Sequence, residues 1–189
     1  MANFVGQQLG NYRLIHLIGQ GGFADVYLGE HIYLNTQAAI KLLNTRLGQE
    51  DQESFLTEAR TIAHLRHLNI IKVLDFGVAN NMPFLVLEYA RNGTLRQRYP
   101  KGTRLSPATI LPHLKQVASA LQYAHNHKLI HRDVKPENML LGYDDEVWLS
   151  DFGISLILQT SQYQSATDAG GTVWYMAPEQ LPSKTEIGR

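Results

Sequence analysis

The chain of 189 residues is 44% hydrophobic and 18% charged, which is an ordinary composition for a soluble globular protein. Its 17 basic and 17 acidic side chains cancel, so no overall charge would draw the chain to nucleic acid or to an anionic membrane surface. There is no cysteine, which excludes disulfide bonds and thiolate zinc sites. The sequence shows neither a signal peptide nor an apolar stretch near the ~20 residues that span a bilayer, so we expect a cytoplasmic protein without a membrane segment or a nucleic-acid partner.

The first part of the chain is predicted to form strands. Residues 12–31 alternate around a glycine cluster, and Gly19, Gly21 and Gly22 would join two strands as a hairpin. The short apolar run TQAAIKLL, residues 36–43, predicts a third strand.

The next elements are one helix and two more strands. Residues 51–68 predict an amphipathic helix, because apolar side chains recur at helical spacing from Phe55 to Leu65. The apolar runs at 69–77 and 82–90 predict strands.

The second half of the chain begins with a predicted helix. Ser106 and Pro107 are typical of a helix N-cap and of the first helical position. The helix would run to Lys128, with Pro112 expected to kink or delay it. Short strands and loops follow, and residues 88–95 form the predicted connector between the two parts of the chain.

Two charged residues fall on apolar faces. Glu58 shares a helical stripe with Phe55 and Ile62, and Lys41 alternates in its strand with Ala39 and other small or apolar residues. Each could be unremarkable alone, Glu58 as a half-exposed side chain and Lys41 as an edge residue. Opposite charges on neighbouring apolar faces suggest that the two side chains pair.

The glycine cluster IGQGGFADV could bring backbone N–H groups close to phosphate oxygens. A glycine-rich hairpin turn without a ligand is the alternative interpretation of this sequence. A dinucleotide-binding loop of the Rossmann type needs a helix directly after the glycines, whereas here the strand-like VYLGEH follows, so we set that alternative aside.

The segment LIHRDVKPENMLL concentrates polar chemistry between apolar residues. Asp133 could accept a proton, Lys135 could neutralise a phosphate, and Asn138 together with the downstream Asp151 could supply the oxygen ligands that Mg²⁺ prefers. A solvated charged turn is the alternative for this segment taken alone.

These motifs together resemble those of the eukaryotic-type serine/threonine protein kinases, and their sequences are similar to those of the bacterial members. The matches are the glycine loop, AAIK with Lys41, Glu58, HRDVKPEN, DFG at 151–153 and GTVWYMAPE at 171–179, in the family's order over nearly the whole chain. The resemblance implies an α+β, bilobal protein-kinase fold with a small lobe of antiparallel sheet plus one helix, and a large helical lobe that is incomplete at the C-terminus. The implied division is an N-terminal extension (1–11), the small lobe (12–87), the connector (88–95) and a partial large lobe (96–189).

The resemblance also implies a binding site for ATP. The glycine loop would cover the phosphates, Lys41 would hold the α- and β-phosphates and be locked by Glu58, and Leu87 would be the gatekeeper. Val26, Ala39 and Leu140 would sandwich the adenine, whose edge would bond to the backbone. The implied nucleotide-binding residues are Ile18, Gly19, Gln20, Gly21, Gly22, Phe23, Ala24, Val26, Ala39, Lys41, Leu87, Glu88, Ala90 and Leu140.

The implied reaction is transfer of phosphate to serine or threonine hydroxyls of a protein substrate. Asp133 would orient and deprotonate the hydroxyl, Lys135 would steady the γ-phosphate, and Asn138 and Asp151 would bind Mg²⁺. Thr172 resembles the threonine that contacts the catalytic loop in the Ser/Thr-specific branch.

Asp-Phe-Gly occurs twice, and the family's order of motifs decides between the two copies. Asp151 lies downstream of the HRD segment and opens the stretch that closes at APE. Asp75 precedes any catalytic loop and is interpreted as a strand end that matches by chance.

The resemblance further predicts regulation by phosphorylation. Arg132 directly before Asp133 resembles kinases in which an arginine binds a phosphate on the activation loop. We expect autophosphorylation within residues 154–172, where the candidate acceptors are Thr160, Ser161, Ser165 and Thr167.

Two departures from the family pattern are notable. Ala24 replaces the third loop glycine, which would cost about 1 kcal/mol if that position needs a positive φ. The sequence ends shortly after APE, so we expect helix 106–127 to expose apolar surface. A nucleotide-binding, pseudokinase-like scaffold and an inactive truncated fragment therefore remain alternatives, although the intact Lys41, Asp133 and Asp151 argue against the scaffold.

Overall fold

The structure is a computed structural model that describes residues 4–22, 24–152 and 175. An antiparallel sheet with one helix forms the first part of the molecule, and two helices with a small hairpin form the second. The elements, in chain order, are β1 (Gln8–Leu9), β2 (Tyr12–Gln20), β3 (Ala24–His31), β4 (Gln37–Leu43), α1 (Gln49–Ala63), β5 (Val73–Ala79), β6 (Met82–Glu88), α2 (Leu95–Arg98), α3 (Pro107–Asn126), a 3-10 turn (Pro136–Asn138), β7 (Met139–Leu141) and β8 (Val147–Leu149).

The main sheet has six strands in the order β1-β2-β3-β4-β6-β5, and every pair is antiparallel. The predicted hairpin around the glycines is β2–β3, in which Gly19 lies opposite Val26. Residues 4–11 also contribute to this sheet, since β1 pairs with β2 and the Phe4 ring meets Tyr27 edge-on at 6.3 Å.

Alternation along β4 separates the two faces of the sheet. Ile40 and Leu42 point into one apolar cluster with Leu14 and Val86. Leu43 points into the other cluster, which lies under α1. Strand periodicity of two therefore places Lys41 on the α1 side, as the sequence predicted.

Helix α1 packs its apolar stripe against the sheet, and Phe55 and Ala59 are fully buried there. The helix ends at Ala63, five residues earlier than the predicted 51–68. His64 closes the last turn with its backbone N–H and its ring, both directed at Arg60 O. The residues after it leave the helix because they bond to the second part of the molecule.

The junction between the two parts runs through the segment after α1. Ile71 N–H donates to Leu149 O at 3.1 Å, and Leu149 N–H donates to Asn69 O at 2.8 Å. The Asn69 side chain donates to Gln116 Oε1 at 3.0 Å. The predicted strand 69–77 therefore begins only at Val73, since its first residues pair with β8 instead.

Helix α3 begins as predicted, with Pro107 at its first position and the Ser106 hydroxyl accepting from Thr109 N–H at 3.2 Å. Pro112 lies inside the helix and does not delay it, because the helix starts one turn earlier. Two large apolar side chains of α3, Leu111 and Leu114, are 52% and 54% exposed. The expected exposure of apolar surface on this helix is thus confirmed.

No helix in residues 4–22, 24–152 and 175 is both long enough and apolar enough to cross a membrane.

Candidate active site

His131 anchors the polar loop before the 3-10 turn. Its side chain is 1% exposed, and Nε2 lies 2.7 Å from Ser150 O, while Nδ1 accepts the backbone N–H of Asp133 at 3.2 Å. The ring also packs against Phe152, with centroids 4.5 Å apart. An imidazole that accepts at Nδ1 and donates at Nε2 is neutral. Burial accordingly lowers the pKa of His131, against the opposing pull of its hydrogen bond and of nearby carboxylates.

Asp133, Lys135 and Asn138 form one connected group, as the sequence predicted for these three residues. The Asn138 amide donates to Asp133 O at 2.8 Å and to Asp133 Oδ2 at 2.9 Å. The Lys135 ammonium lies 2.7 Å from the same Oδ2. Asp133 Oδ1 is buried and has no hydrogen-bond partner among the described residues. One carboxylate oxygen is therefore held in place while the other can accept a proton.

Ser150 connects this group to the segment after β8. Its N–H and its hydroxyl both donate to Asn138 O, at 2.9 and 3.1 Å. The next residue, Asp151, has a φ of 68°, and Arg132 in the polar loop has a φ of 67°. Left-handed backbone is costly for residues other than glycine and occurs where the surroundings over-determine it, often at functional sites.

Lys41 and Asp151 meet between the two parts of the molecule. The Lys41 Nζ to Asp151 Oδ1 distance is 2.7 Å, and both side chains are largely buried. In the sheet, Lys41 lies opposite Val26 on β3 and Leu85 on β6. The ion pair thus brings the strand lysine to the predicted metal ligand.

The expected pairing of Lys41 with Glu58 is wrong for this structure. Both residues are described, and no ion pair within 4.0 Å joins them; the lysine is paired with Asp151 instead. The left-handed kink at Asp151 carries a carboxylate onto the ammonium, which satisfies the lysine. Glu58 stays half-buried, and burial raises its pKa, which the charge of Arg132 partly offsets.

Backbone and side-chain hydrogen bonds hold the described part of the glycine loop. Gly21 N–H donates to Ala24 O at 3.0 Å, and the Asn44 amide donates to Gly21 O at 3.2 Å. A Cβ built on Gly22 would meet nothing within 4 Å, so the loop leaves open space there. Phe23 lies outside the described residues.

Ala24 does not carry the strain that its replacement of a glycine suggested. It lies in β3, is absent from the residues with positive φ, and is buried in the cluster under α1. Because its backbone is extended, the expected cost of about 1 kcal/mol does not arise.

Four of the residues predicted to surround the adenine belong to one apolar cluster. Leu87 is a buried member, and Ala39, Ala90 and Leu140 pack against it. Ala39 lies directly opposite Leu87 in the β4–β6 pairing. The sequence analysis missed Trp148, which lies opposite Leu140 in the β7–β8 pairing and is buried in the same cluster.

Asp75 is separate from this constellation. It lies in the outer strand β5, opposite Val86, and its Oδ1 accepts the N–H of Phe76 at 2.8 Å. Its assignment to the sheet agrees with the interpretation of a chance match. The position is inside the strand rather than at its end, because pairing continues to Ala79.

Two oxygen atoms in this site fit a magnesium ion. The Asn138 amide turns its nitrogen to Asp133, which directs its carbonyl oxygen elsewhere, and the Lys41 ammonium lies 2.7 Å from Oδ1 of Asp151. Mg²⁺ is commonly held by one or two protein oxygens together with water and substrate phosphates. Within the described ranges, no group of three His, Asp or Glu side chains is arranged to hold a metal, so a metal cage built from protein alone is not formed there.

Several predicted positions lie outside the described residues. They are Gly153, Thr172, the candidate phosphorylation sites Thr160, Ser161, Ser165 and Thr167, and the APE segment. The roles predicted for them stay predictions.

Comparison with known proteins identifies the family. The family model of the protein kinase domain matches residues 12–189 of this chain. The chain is 33% identical to the serine/threonine-protein kinase PrkC of Bacillus subtilis over 90% of its own length, and 35% identical to Pkn1 of Myxococcus xanthus over 98%. The kinase domain of Mycobacterium tuberculosis PknI superposes with a TM-score of 0.72 and 29% identity, covering 82% of this chain and 64% of that one.

The chain therefore belongs to the eukaryotic-type serine/threonine protein kinase family, and the relatives named above are bacterial. Its bilobal architecture, with an antiparallel small lobe, confirms the predicted fold class. It spans about a quarter, 27%, of the length of PrkC and of Pkn1.

Proposed function

We propose that this chain binds ATP with Mg²⁺ between its lobes and transfers the γ-phosphoryl group to serine or threonine hydroxyls of proteins. The observation that carries the proposal is the continuous set of bonds that joins Lys41 to Asp151 and, through Ser150 and Asn138, reaches Asp133. A lysine, two oxygen ligands and a carboxylate with one unbonded oxygen are the parts that phosphoryl transfer needs in one place.

The nucleotide is proposed to lie under the glycine loop and against the shared apolar cluster. The open space beside Gly22 suits phosphate oxygens. Ala39 and Leu140 pack on one cluster and offer apolar contact to a flat ring. The other proposed contacts are those that the family resemblance implies: Ile18, Gly19, Gln20, Phe23, Ala24, Val26, Leu87, Glu88 and Ala90.

Asp133 is proposed to orient the acceptor hydroxyl and to take its proton. Oδ2 is fixed by Asn138 and Lys135, so the carboxylate cannot rotate freely, and Oδ1 is left as the acceptor. A base must be within hydrogen-bond reach of the proton that it takes, and a fixed orientation favours this. Lys135 then places positive charge beside the transferred group.

Asn138 and Asp151 are proposed to bind Mg²⁺, which supplies charge neutralisation to the phosphate oxygens when it is bound. Lys41 keeps the Asp151 carboxylate in position before the metal arrives. Because the proposed donor is ATP, the proposed location of the protein is the cytoplasm.

Proteins with serine or threonine acceptors are the proposed substrates, and the similarity to the serine/threonine-protein kinases PrkC and Pkn1 supports this class. Autophosphorylation within 154–172, with Arg132 binding the new phosphate, remains part of the proposal, as does a contact of Thr172 with the catalytic loop.

The test is a phosphate-transfer assay with the 189-residue chain, labelled ATP, Mg²⁺ and an unstructured acceptor protein. Asp133→Asn should lower transfer by roughly 10²- to 10⁴-fold, the usual share of general base catalysis, and should leave nucleotide binding intact. Asp144→Asn, on the exposed β7–β8 turn, is the matched control and should transfer at the wild-type rate.

Measurements of Mg-ATP binding and of thermal melting on the same wild-type chain distinguish the two alternatives. A wild-type chain that binds Mg-ATP but transfers nothing would be a nucleotide-binding scaffold. A chain without a cooperative melting transition would be a fragment that does not fold stably.

A further inference from the structure

One ion pair links helix α2 to the 3-10 turn. Arg96 Nε donates to Glu137 Oε1 at 2.8 Å, and the two side chains are 22% and 40% exposed. The helix that carries Arg96 is itself fixed, because Thr94 and Gln97 form a reciprocal capping box at its start. Arg96 is therefore a fixed point against which the turn is held.

Glu137 lies within the turn that presents two site residues. Lys135 precedes the turn, and Asn138 ends it, with Asn138 N–H donating to Lys135 O at 2.9 Å. The direction of the Glu137 side chain and the directions of Lys135 and Asn138 are set by the same few backbone angles. A bond that holds Glu137 in place therefore restrains Asn138, the next residue, and Lys135, two residues earlier.

The Glu137 carboxylate depends on Arg96. Oε2 of Glu137 is buried without a hydrogen-bond partner in the described part of the chain. The bond from Arg96 to Oε1 therefore offsets the free-energy cost of burying this carboxylate. Burial raises the pKa of Glu137, but the hydrogen bond and charge of Arg96, with a smaller effect of Lys135, bring the pKa below its ordinary value. Without Arg96 the carboxylate would turn toward water and carry the turn with it.

The same guanidinium also holds a residue far along the chain. Arg96 Nη2 donates to the hydroxyl of Tyr175, a residue that the resemblance places in the GTVWYMAPE motif. Two N–H groups of the same rigid guanidinium thus bind Glu137 in the 3-10 turn and Tyr175 in this motif.

We propose that Arg96 is a positioning residue of the active site, which acts through Glu137 to set the orientation of Lys135 and Asn138 toward Asp133. The inference rests on the proposed function, because it names a further residue for the same reaction. In this proposal Arg96 acts on the reaction through its bond to Glu137 in the 3-10 turn, not by contact with nucleotide or acceptor.

The kinetic consequence is a change in turnover rather than in nucleotide binding. Lys135 and Asn138 both contact Asp133 Oδ2, and a rotated turn would loosen both contacts. The residues proposed to hold the nucleotide lie mainly on the sheet and in the connector that leads into α2, whereas the Arg96 side chain bonds to Glu137 and Tyr175. We expect Arg96→Met to lower kcat roughly 10- to 100-fold, since small misplacements of positioned groups cost up to about 10²-fold, with KM for ATP unchanged within about twofold.

The chain offers a matched control two residues along the same helix. Arg98 forms an ion pair with Asp145 at 2.7 Å, but those side chains are 41% and 55% exposed and Asp145 lies on the β7–β8 turn. Arg98→Met removes the same charge and the same kind of contact without touching the 3-10 turn. Its kcat should stay within twofold of wild type.

The test combines these variants with Arg96→Lys and Glu137→Gln in the full chain. Arg96→Lys, which keeps a cation able to reach Glu137, should restore at least half of the lost kcat, and Arg96→Met/Glu137→Gln should be no worse than the poorer single variant. An unchanged kcat in Arg96→Met, or an equal loss in Arg98→Met, would overturn the proposal.

Amide hydrogen exchange provides an arm that needs no turnover. The N–H groups of Asn138 and Ser150, which donate to Lys135 O and Asn138 O, should exchange at least tenfold faster in Arg96→Met and at the wild-type rate in Arg98→Met. Unchanged protection in Arg96→Met contradicts the positioning role. If the wild-type chain transfers no phosphate, the proposed function fails, and the exchange comparison still decides the role of Arg96.

Discussion

The ammonium of Lys41 lies 2.7 Å from Oδ1 of Asp151, which joins strand β4 of the small lobe to the segment after β8 of the large lobe. This relationship distinguishes the two Asp-Phe-Gly sequences physically. Asp151 faces a buried cation across the cleft, whereas Asp75 lies in the outer strand of the sheet and bonds to the backbone beside it.

The first prediction separates these two aspartates by metal-dependent nucleotide binding. A ligand at about 100 times its Kd that binds only the folded chain stabilises it by ~2.7 kcal/mol, which is roughly 5–10 °C in Tm for a chain of this size. We expect Asp151→Ala to lose the part of this rise that depends on Mg²⁺. Asp75→Ala should keep it, as thermal melting with ATP in the presence and absence of Mg²⁺ would show. Loss of the rise in Asp75→Ala alone would reverse the assignment.

Features that depend on short-range pattern were predictable from the sequence. The Ser106 cap and Pro107 start of α3 follow from local backbone chemistry, and the face of Lys41 follows from strand periodicity. The grouping of Asp133, Lys135 and Asn138 was also predictable, because five residues of one loop separate them at most.

Features that depend on how distant elements dock were not predictable. The partner of Lys41 depends on the placement of α1 relative to the segment after β8, which no spacing within either element determines. The late start of β5 has the same cause, since Ile71 bonds to Leu149 far along the chain. The HRD motif predicted a role for Asp133. The burial of His131, two residues earlier, against Ser150 was not predictable, because it depends on contact with a distant segment.

The second prediction concerns the core under α1. Phe55 is fully buried against the sheet, so Phe55→Ala should lower the free energy of unfolding by ~3–5 kcal/mol through lost burial and a residual cavity. Phe55→Leu keeps most of the volume and should cost less, about 1–2 kcal/mol. Leu111→Ala, at a position 52% exposed on α3, is the control and should change stability by no more than about 0.5 kcal/mol in urea unfolding.

The third prediction is a dependence of stability on pH that originates at His131. Burial lowers its pKa from the ordinary value of 6.5, so the unfolded chain binds the proton more readily than the folded one. The contribution of His131 is fully present above pH 6.5 and is lost as the pH falls from there through the folded-state pKa. His131→Tyr keeps a ring and a donor for Ser150 O but does not titrate in this range.

Urea unfolding between pH 5 and 7.5 measures this effect. The loss of stability on acidification should be smaller in His131→Tyr than in wild type, while His125→Gln, at an exposed position on α3, should follow the wild-type curve. Parallel curves for wild type and His131→Tyr would contradict the assignment to His131.

The fourth prediction compares two neighbouring glycines. A Cβ at Gly21 would lie 3.3 Å from the Ala24 carbonyl oxygen, so Gly21→Ala must shift the turn, whereas a Cβ at Gly22 would meet nothing within 4 Å. If phosphates bind over this turn, Gly21→Ala should weaken ATP binding by roughly fivefold, about 1 kcal/mol, and Gly22→Ala should weaken it less. Titration calorimetry with a non-hydrolysable ATP analogue gives both Kd values, and equal effects would argue against close contact at Gly21.

The fifth prediction tests the role of Glu58, for which the family resemblance and the observed geometry differ. Burial raises the pKa of Glu58 above its ordinary 4.5, and no ion pair with Lys41 compensates for it. A raised pKa means that the stability associated with this group is fully present below pH 4.5 and is lost as the pH rises through the folded-state value. At pH 7 the ionised carboxylate therefore opposes folding, and Glu58→Gln should leave the chain as stable as wild type or more stable.

Activity should respond in the opposite direction if Glu58 locks Lys41 during catalysis, as the resemblance implies. In that case α1 must bring Glu58 to Lys41 when nucleotide and metal bind, and Glu58→Gln should lower kcat/KM by at least about tenfold, or 1.4 kcal/mol of transition-state stabilisation. Glu53→Gln, five residues earlier at an exposed position on α1, is the matched control and should change neither quantity. A stable Glu58→Gln chain with full activity would mean that the Lys41–Asp151 pair is sufficient and that this lysine needs no second partner.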